Sequence, residues 1–488
     1  MDVSALDTVS TGTETKAESG GPSLALGWIL LLALVNGLLW MALVPPWQTP
    51  DEPKHFEYLR LLSEGERLIA FETEEEAGDP ELQAWIVDSM DAQRFWWYGH
   101  APGYDPDVQG QTFADLWLFG SHTAFYRSSP AYYALLAPFQ PDNRMLGLYM
   151  ARFLSMLMVV LTVLLAGLAA RELFPEAPFV RYGAPLFLAL HPMQAFLQAG
   201  VNNDGLVVLL SAFAFLLMAR LLVRGFHPAR LILLGLVIVL AILSKRTAFF
   251  LAPAALLTLL SAMAARSRRP ALALGGGLGM LSFLFLGLRS WGPQALAALP
   301  EAWRFTISRY LLNEPDQIDR LMVHLRAPEI GGVMLEYLWR MHEGFWGSFG
   351  WQVVGFPAPV YLVFGLLVVV AGVGVLKRLL ALAEFETDVE RKHLVQAAAL
   401  TSYAAAVALA AGGALFFFAS YLHLPYPPPP QGRYLFVASL PIALLMTAGI
   451  SAFLPRGRDG VALQAWMAIL LIYDMTALLG IVLPYFYR

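Results

Sequence analysis

Apolar runs of about twenty residues, separated by short polar turns, recur along most of the chain without strict two-residue alternation. They occupy 24–44, 145–170, 179–200, 204–223, 231–243, 248–265, 271–288, 358–376, 395–421, 434–454 and 461–483. The pattern predicts about eleven transmembrane helices rather than a barrel, whose strands alternate lipid-facing and lumen-facing positions. The expected fold is an all-α polytopic membrane protein, since a bilayer requires backbone groups to be paired within helices or closed sheets.

Two stretches interrupt the pattern, 47–143 and 291–356, and both exceed what a plain connector needs. In the first, Phe56, Leu59 and Leu62 recur at helical spacing, as do Leu82, Trp85, Ile86 and Met90, which predicts amphipathic helices on the membrane surface. Residues 1–23 read as a disordered cytoplasmic tail, rich in Ser, Thr, Gly and acids. They lack the basic start of a signal peptide, so 24–44 is expected to stay as the first span of a domain covering 24–488.

Composition fits a membrane chain: 58% of the 488 residues are hydrophobic and 14% charged. A net charge of -5 gives no reason to expect a nucleic-acid partner, and the absence of cysteine excludes disulfides and thiol nucleophiles. Basic residues set the orientation. Arg171, Arg220, Arg224, Arg266, Lys377 and Arg456 fall in one set of loops, which should face the cytoplasm. The amino terminus is then inside and both long segments outside. Lys245, Arg246 and Arg433 are exceptions on the outer side.

The candidate chemistry begins where the first span ends. Pro50-Asp51-Glu52-Pro53-Lys54-His55 packs two acids, a lysine and an imidazole beside a hydrophobic run that requires none of them. Pro53 suits a first helical position, which would put Asp51 just ahead of a positive helix end. The competing register uses Thr49 and Glu52 as a capping box, and then the acids only cap. Other polar groups also sit at outer span ends: Asn202, Asn203 and Asp204; Lys245 and Arg246; Gln431 and Arg433. A bundle could gather these into one cleft with acids for proton transfer and bases for a phosphate. Against this stand ordinary helix capping by Asn202 to Asp204 and snorkelling by Lys245 and Arg246. Adjacent acids are compatible with Mg2+ or Mn2+, but only Asp51 and Glu52 are close in sequence, so metal independence is expected. His100, His122, His324 and His342 show no metal-ligand spacing. Phe345 to Trp351 reads as an interfacial aromatic belt, with sugar stacking as a secondary role.

Taken in order, Pro50 to Phe56, Pro130-Ala131-Tyr132-Tyr133, Asn202-Asn203-Asp204, Leu243-Ser244-Lys245, Phe345 to Trp351 and Gln431-Gly432-Arg433-Tyr434 resemble a bacterial family of predicted membrane proteins. That family is related to the GT-C-type integral membrane glycosyltransferases. The resemblance implies a sugar donor on a polyprenyl phosphate and an acceptor that is a glycan, lipid or protein, at the outer face of a bacterial inner membrane. It implies Asp51 as catalytic acid residue with Glu52 as its partner, and Lys245 and Arg433 as phosphate ligands. Lys54, His55, Asn202, Asp204, Arg246 and Tyr132 complete the expected substrate-binding set. Relatives often carry a basic residue or His where this chain has Ser128-Ser129. Segment 291–343, with Trp303, Arg304 and Tyr310, is the candidate for acceptor handling. Two rival readings are a flippase of lipid-linked sugars, which should carry charges near span centres, and a non-catalytic envelope scaffold.

Overall fold

Ser23 Oγ accepts the Leu26 N–H at 3.4 Å and starts helix α1, Leu24–Leu43. The computed structural model that shows this describes residues 23–65, 78–98, 112–119, 129–266, 330–383, 391–419, 421–422 and 430–487. Outside it lie the expected span 271–288 and most of the segment proposed for acceptor handling.

The segment that follows contains α2 (Glu52–Ser63), α3 (Pro80–Ala92) and α4 (Ala131–Leu136). The bundle continues with α5 (Arg144–Leu173), α6 (Pro178–Ala189), α7 (Pro192–Gln198), α8 (Asp204–Arg224), α9 (Pro228–Ser244) and α10 (Leu251–Ala264). Its second half comprises α11 (Ile330–Gly347), α12 (Ala358–Ala383), α13 (Arg391–Ala419), α14 (Ser439–Ser451) and α15 (Asp459–Met475). Ser348–Phe349 and Val354–Gly355 form a two-stranded antiparallel hairpin. Among the described residues, 8 helices are long and apolar enough to cross a membrane. The run 231–243 becomes the shorter apolar helix Pro228–Ser244. The run 179–200 divides into α6 and α7, because Pro192 favours an extended conformation at His191 before restarting the helix.

Helix α8 packs on α5, α9 and α10, while α14 packs on α12, α6 and α13. A Cβ placed on Gly374 or Gly449 would strike the backbone of the opposite helix, so α12 and α14 meet backbone to backbone. Small residues allow such approach where lipid offers no hydrophobic driving force. The outward face of α12 is apolar, with Leu362, Val363, Leu366 and Val369 exposed.

Two sequence expectations change. The apolar faces of α2 and α3 do not lie on lipid: Phe56, Leu59, Leu82, Ile86 and Met90 are buried against Trp47, Tyr132, Tyr133 and Leu148 in a core of their own. Each such side chain contributes about 1.5–3 kcal/mol of burial, more than half-burial in an interface gives. Nor do Phe345, Trp346 and Phe349 form a belt. They are buried at the centre of the bundle, where Phe345 and Trp346 enclose His191 with Phe187, Phe436 and Tyr473.

Candidate active site

Trp47 and Asp51 both adopt left-handed backbone, with φ of 73° and 67°. Such conformations strain a side-chain-bearing residue and persist only where surroundings over-determine them. Here Trp47 is fixed at both ends of its peptide group. Its N–H donates to Glu52 Oε2 at 2.8 Å, and its carbonyl accepts the Trp351 Nε1–H at 3.1 Å. Asp51 precedes the first residue of α2 but makes no side-chain cap. The capping-box register is therefore not adopted, and the Asp51 carboxylate is turned elsewhere.

It turns to Arg433, whose Nη2 donates to Asp51 Oδ2 at 2.8 Å. Arg433 is aimed by the short 3-10 turn Gly432–Ala438, which stands against α11. A Cβ on Gly344 would come within 2.6 Å of the Gly432 nitrogen, so only glycine pairs there let the two backbones touch. A second pair lies alongside: Lys245 Nζ donates to Asp204 Oδ1 at 2.5 Å. Lys245 ends α9 in extended backbone, and Asp204 begins α8, its N–H held by Asn202 Oδ1 at 2.8 Å. The pairs are mutually felt. Burial holds the Lys245 ammonium below its usual range, with Arg433 adding to that and Asp204 and Asp51 opposing it.

All four side chains are mostly shielded: Asp51 is 12%, Arg433 10%, Asp204 7% and Lys245 21% exposed. Screening by water is weak for such groups, so their charges act strongly on whatever enters. Arg433 Nε and Nη1, Asp204 Oδ2 and Gln431 Oε1 are buried with no hydrogen-bond partner among the described residues. Buried polar atoms of this kind take a partner from water or from a bound group.

His55 stands one helical turn beyond Asp51 and shares a 2.6 Å hydrogen bond with the Tyr133 hydroxyl through Nδ1. Burial pushes its imidazole down to about 3, with Asp51 pulling up and Lys245 and Arg433 pushing further down. His55 is thus neutral at physiological pH. Because its folded value lies below the ordinary 6.5, the unfolded chain binds the extra proton between pH 6.5 and about 3. Stability should be undiminished above that window and fall as pH drops through it. His55→Gln should flatten the dependence, read as the shift in unfolding temperature between pH 7 and pH 5.

Glu52 is placed differently from its neighbour. Its carboxylate is wholly buried and takes four hydrogen bonds: Arg152 Nε at 2.7 Å, Arg152 Nη2 at 2.6 Å, Trp47 N–H at 2.8 Å and Val201 N–H at 3.0 Å. Arg152 in turn donates to the Val44 and Pro45 carbonyls at 2.9 and 3.1 Å. This geometry is a strut joining α1, α2, α5 and the turn before α8. Tyr132 is likewise internal. Its O–H reaches Ser155 Oγ at 2.6 Å, Ser155 itself donates to Ala151, and the Tyr132 oxygen accepts the Asn202 N–H at 3.2 Å. Lys54 is buried within α2, and Arg246 is half-buried in the 3-10 turn after Lys245.

The chain therefore brings Asp51, His55, Asp204, Lys245 and Arg433 together, while Glu52 and Tyr132 brace them. Sequence reading passed over Arg152, although a lone arginine within a long apolar run is itself a signal. It also passed over Asp474, a buried carboxyl inside the last span that accepts the Trp40 Nε1–H at 3.0 Å. As to metal, no three acidic or imidazole side chains converge among the described residues. Asp51 and Asp204 face Arg433 and Lys245.

A family described as "Predicted membrane protein (DUF2142)" matches residues 34–446. The chain belongs to that family. Its match runs from within α1 into α14 and takes in every residue of the Asp51 cluster. No curated protein matches the sequence. Among solved structures, the chain is similar to the oligosaccharyltransferase of Archaeoglobus fulgidus, determined tethered to an acceptor peptide containing the NVT sequon through a disulfide bond. The identity is 14% and the TM-score 0.43; the likeness covers 94% of this chain and 55% of that one. The chain thus spans about half the length of that enzyme.

Proposed function

We propose that this membrane protein is an inverting glycosyltransferase that moves a sugar from a polyprenyl-phosphate carrier to an acceptor at the outer face of the membrane. The observation that carries the reading is the shielded cluster in which Arg433 and Lys245 hold Asp51 and Asp204, with two guanidinium nitrogens of Arg433 still without partners among the described residues. A mobile anion binding there would draw both cations away from the carboxylates. Donor binding would then itself release the base.

The acceptor hydroxyl oxygen forms a bond to the anomeric carbon on the face opposite the carrier, and the bond from that carbon to the phosphate oxygen breaks. The hydroxyl proton passes to Asp51, and polyprenyl phosphate leaves with the bonding pair, its added charge met by Arg433 and Lys245. Asp204 holds Lys245 in place before the donor arrives. Glu52 keeps the left-handed turn that presents Asp51. Asn202 and Tyr132 fix the backbone from which Asp204 projects, and Lys54, His55 and Arg246 surround the phosphate and acceptor.

The deciding experiment incubates purified protein with a panel of polyprenyl-phosphate sugars and scores release of free carrier. Release that depends on an added acceptor is expected. Translocation of the lipid-linked sugar without release would replace the enzyme by a flippase, and neither outcome across the panel would leave a scaffold. Lys245→Ala should lower kcat/KM for the donor about tenfold or more, the usual worth of a charged hydrogen bond. Activity unchanged in that variant would remove Lys245 from phosphate binding.

A further inference from the structure

The end of the bundle opposite the Asp51 cluster has a charged cavity of its own. It measures about 550 Å³ and opens between Arg224, Gly225, Phe226, Arg266, Arg391 and Leu394. Three spans terminate at this level. Arg224 is the last residue of α8, Arg266 lies two residues past α10, and Arg391 is the first residue of α13. These helices pack on one another, so three guanidiniums are held side by side at the depth where a bilayer gives way to head groups.

Among the described residues, the acid paired with Arg224 is shared: Glu172 accepts from Arg224 Nε at 3.0 Å and pairs with Arg220 at 3.5 Å. Arg266 lies over the Phe226 ring at 4.9 Å, which orients it without neutralising it. Arg230 donates to the Gly225 carbonyl at 2.8 Å and pins the turn that forms the cavity wall. Gly225 has φ of +90°, a conformation that other residues adopt only with strain. The described lining therefore holds three arginines and no acid.

An apolar track begins at the same rim. Two residues beyond Phe226, α9 starts, and its Ile232, Leu236, Val239, Leu240 and Leu243 are exposed along the helix. A soluble phosphate would use the arginines and ignore the track. A phospholipid would use both. We propose that the cavity holds the phosphate of an anionic phospholipid, whose acyl chain lies along α9.

The test uses the full chain in nanodiscs of equal phosphatidylglycerol and phosphatidylcholine, with retained lipid read by native mass spectrometry. Phosphatidylglycerol should be enriched on the protein, and Arg266→Gln and Arg391→Gln should each lower that enrichment about fivefold, the effect of one basic residue at a membrane surface. Arg456→Gln with Arg458→Gln, at the same end but outside the cavity, should leave it unchanged. An equal loss in that control would overturn the proposal, because general surface potential would then account for the binding. Displacement of the lipid by millimolar glycerol 3-phosphate would also overturn it, in favour of a soluble phosphate site. If the variants fail to fold, the wild-type protein still decides: equal retention of the two lipids ends the proposal.

Discussion

Asp51→Asn should lower the rate of sugar transfer about 10²–10⁴-fold, the range for loss of a general base, while the protein stays folded and inserted. The kinetic pattern is as informative as the size. In the wild type Arg433 is occupied by Asp51, so donor phosphate must displace a carboxylate to bind. Asparagine removes the larger of the two carboxylate charges that act on that guanidinium, leaving Asp204. KM for the donor should therefore fall while kcat collapses, which initial-rate measurements over donor concentration will separate. A variant with normal kcat would exclude Asp51 as the proton acceptor, whatever the cluster binds.

Arg152→Met should destabilise the protein by about 3–5 kcal/mol, because it leaves a buried carboxylate without its cation. Equilibrium unfolding in SDS, followed by tryptophan fluorescence, gives the number. The companion change Glu52→Leu, made together with Arg152→Met, should recover a large part of it, since no buried charge then stands alone. Non-additivity of the cycle measures the pair itself. If Arg152→Met unfolds at the wild-type SDS fraction, the strut does not hold the turn before α2, and the left-handed backbone at Trp47 and Asp51 needs another cause.

The spans were legible because their apolar runs match the thickness of a bilayer, and the Asp51 cluster because polar residues at span ends are out of place in such runs. Where the reading fell short, the cause was a partner distant in sequence. Asp51 and Glu52 look alike side by side, yet Arg152, a hundred residues on, takes Glu52 into the interior and leaves Asp51 to the cleft. Spacing alone carries no trace of that division. Phe345 to Trp351 has the composition of an interfacial girdle. What buries it is His191 and the break between α6 and α7, which lets rings from α11, α15 and the turn before α14 close around one imidazole. Similarly, Leu82, Ile86 and Met90 carry a stripe that would serve lipid or protein equally; α2 and the turn Phe113–Phe119, which pack on α3, decided between them.

Asp51 and Arg433 are 382 positions apart along the chain. During synthesis the acid is made directly after α1, and its cation only after most of the helices. Until then the turn before α2 carries a carboxylate with no counter-charge from Arg433. A polypeptide stalled or cleaved before Arg433 thus differs electrostatically from the finished molecule at this turn.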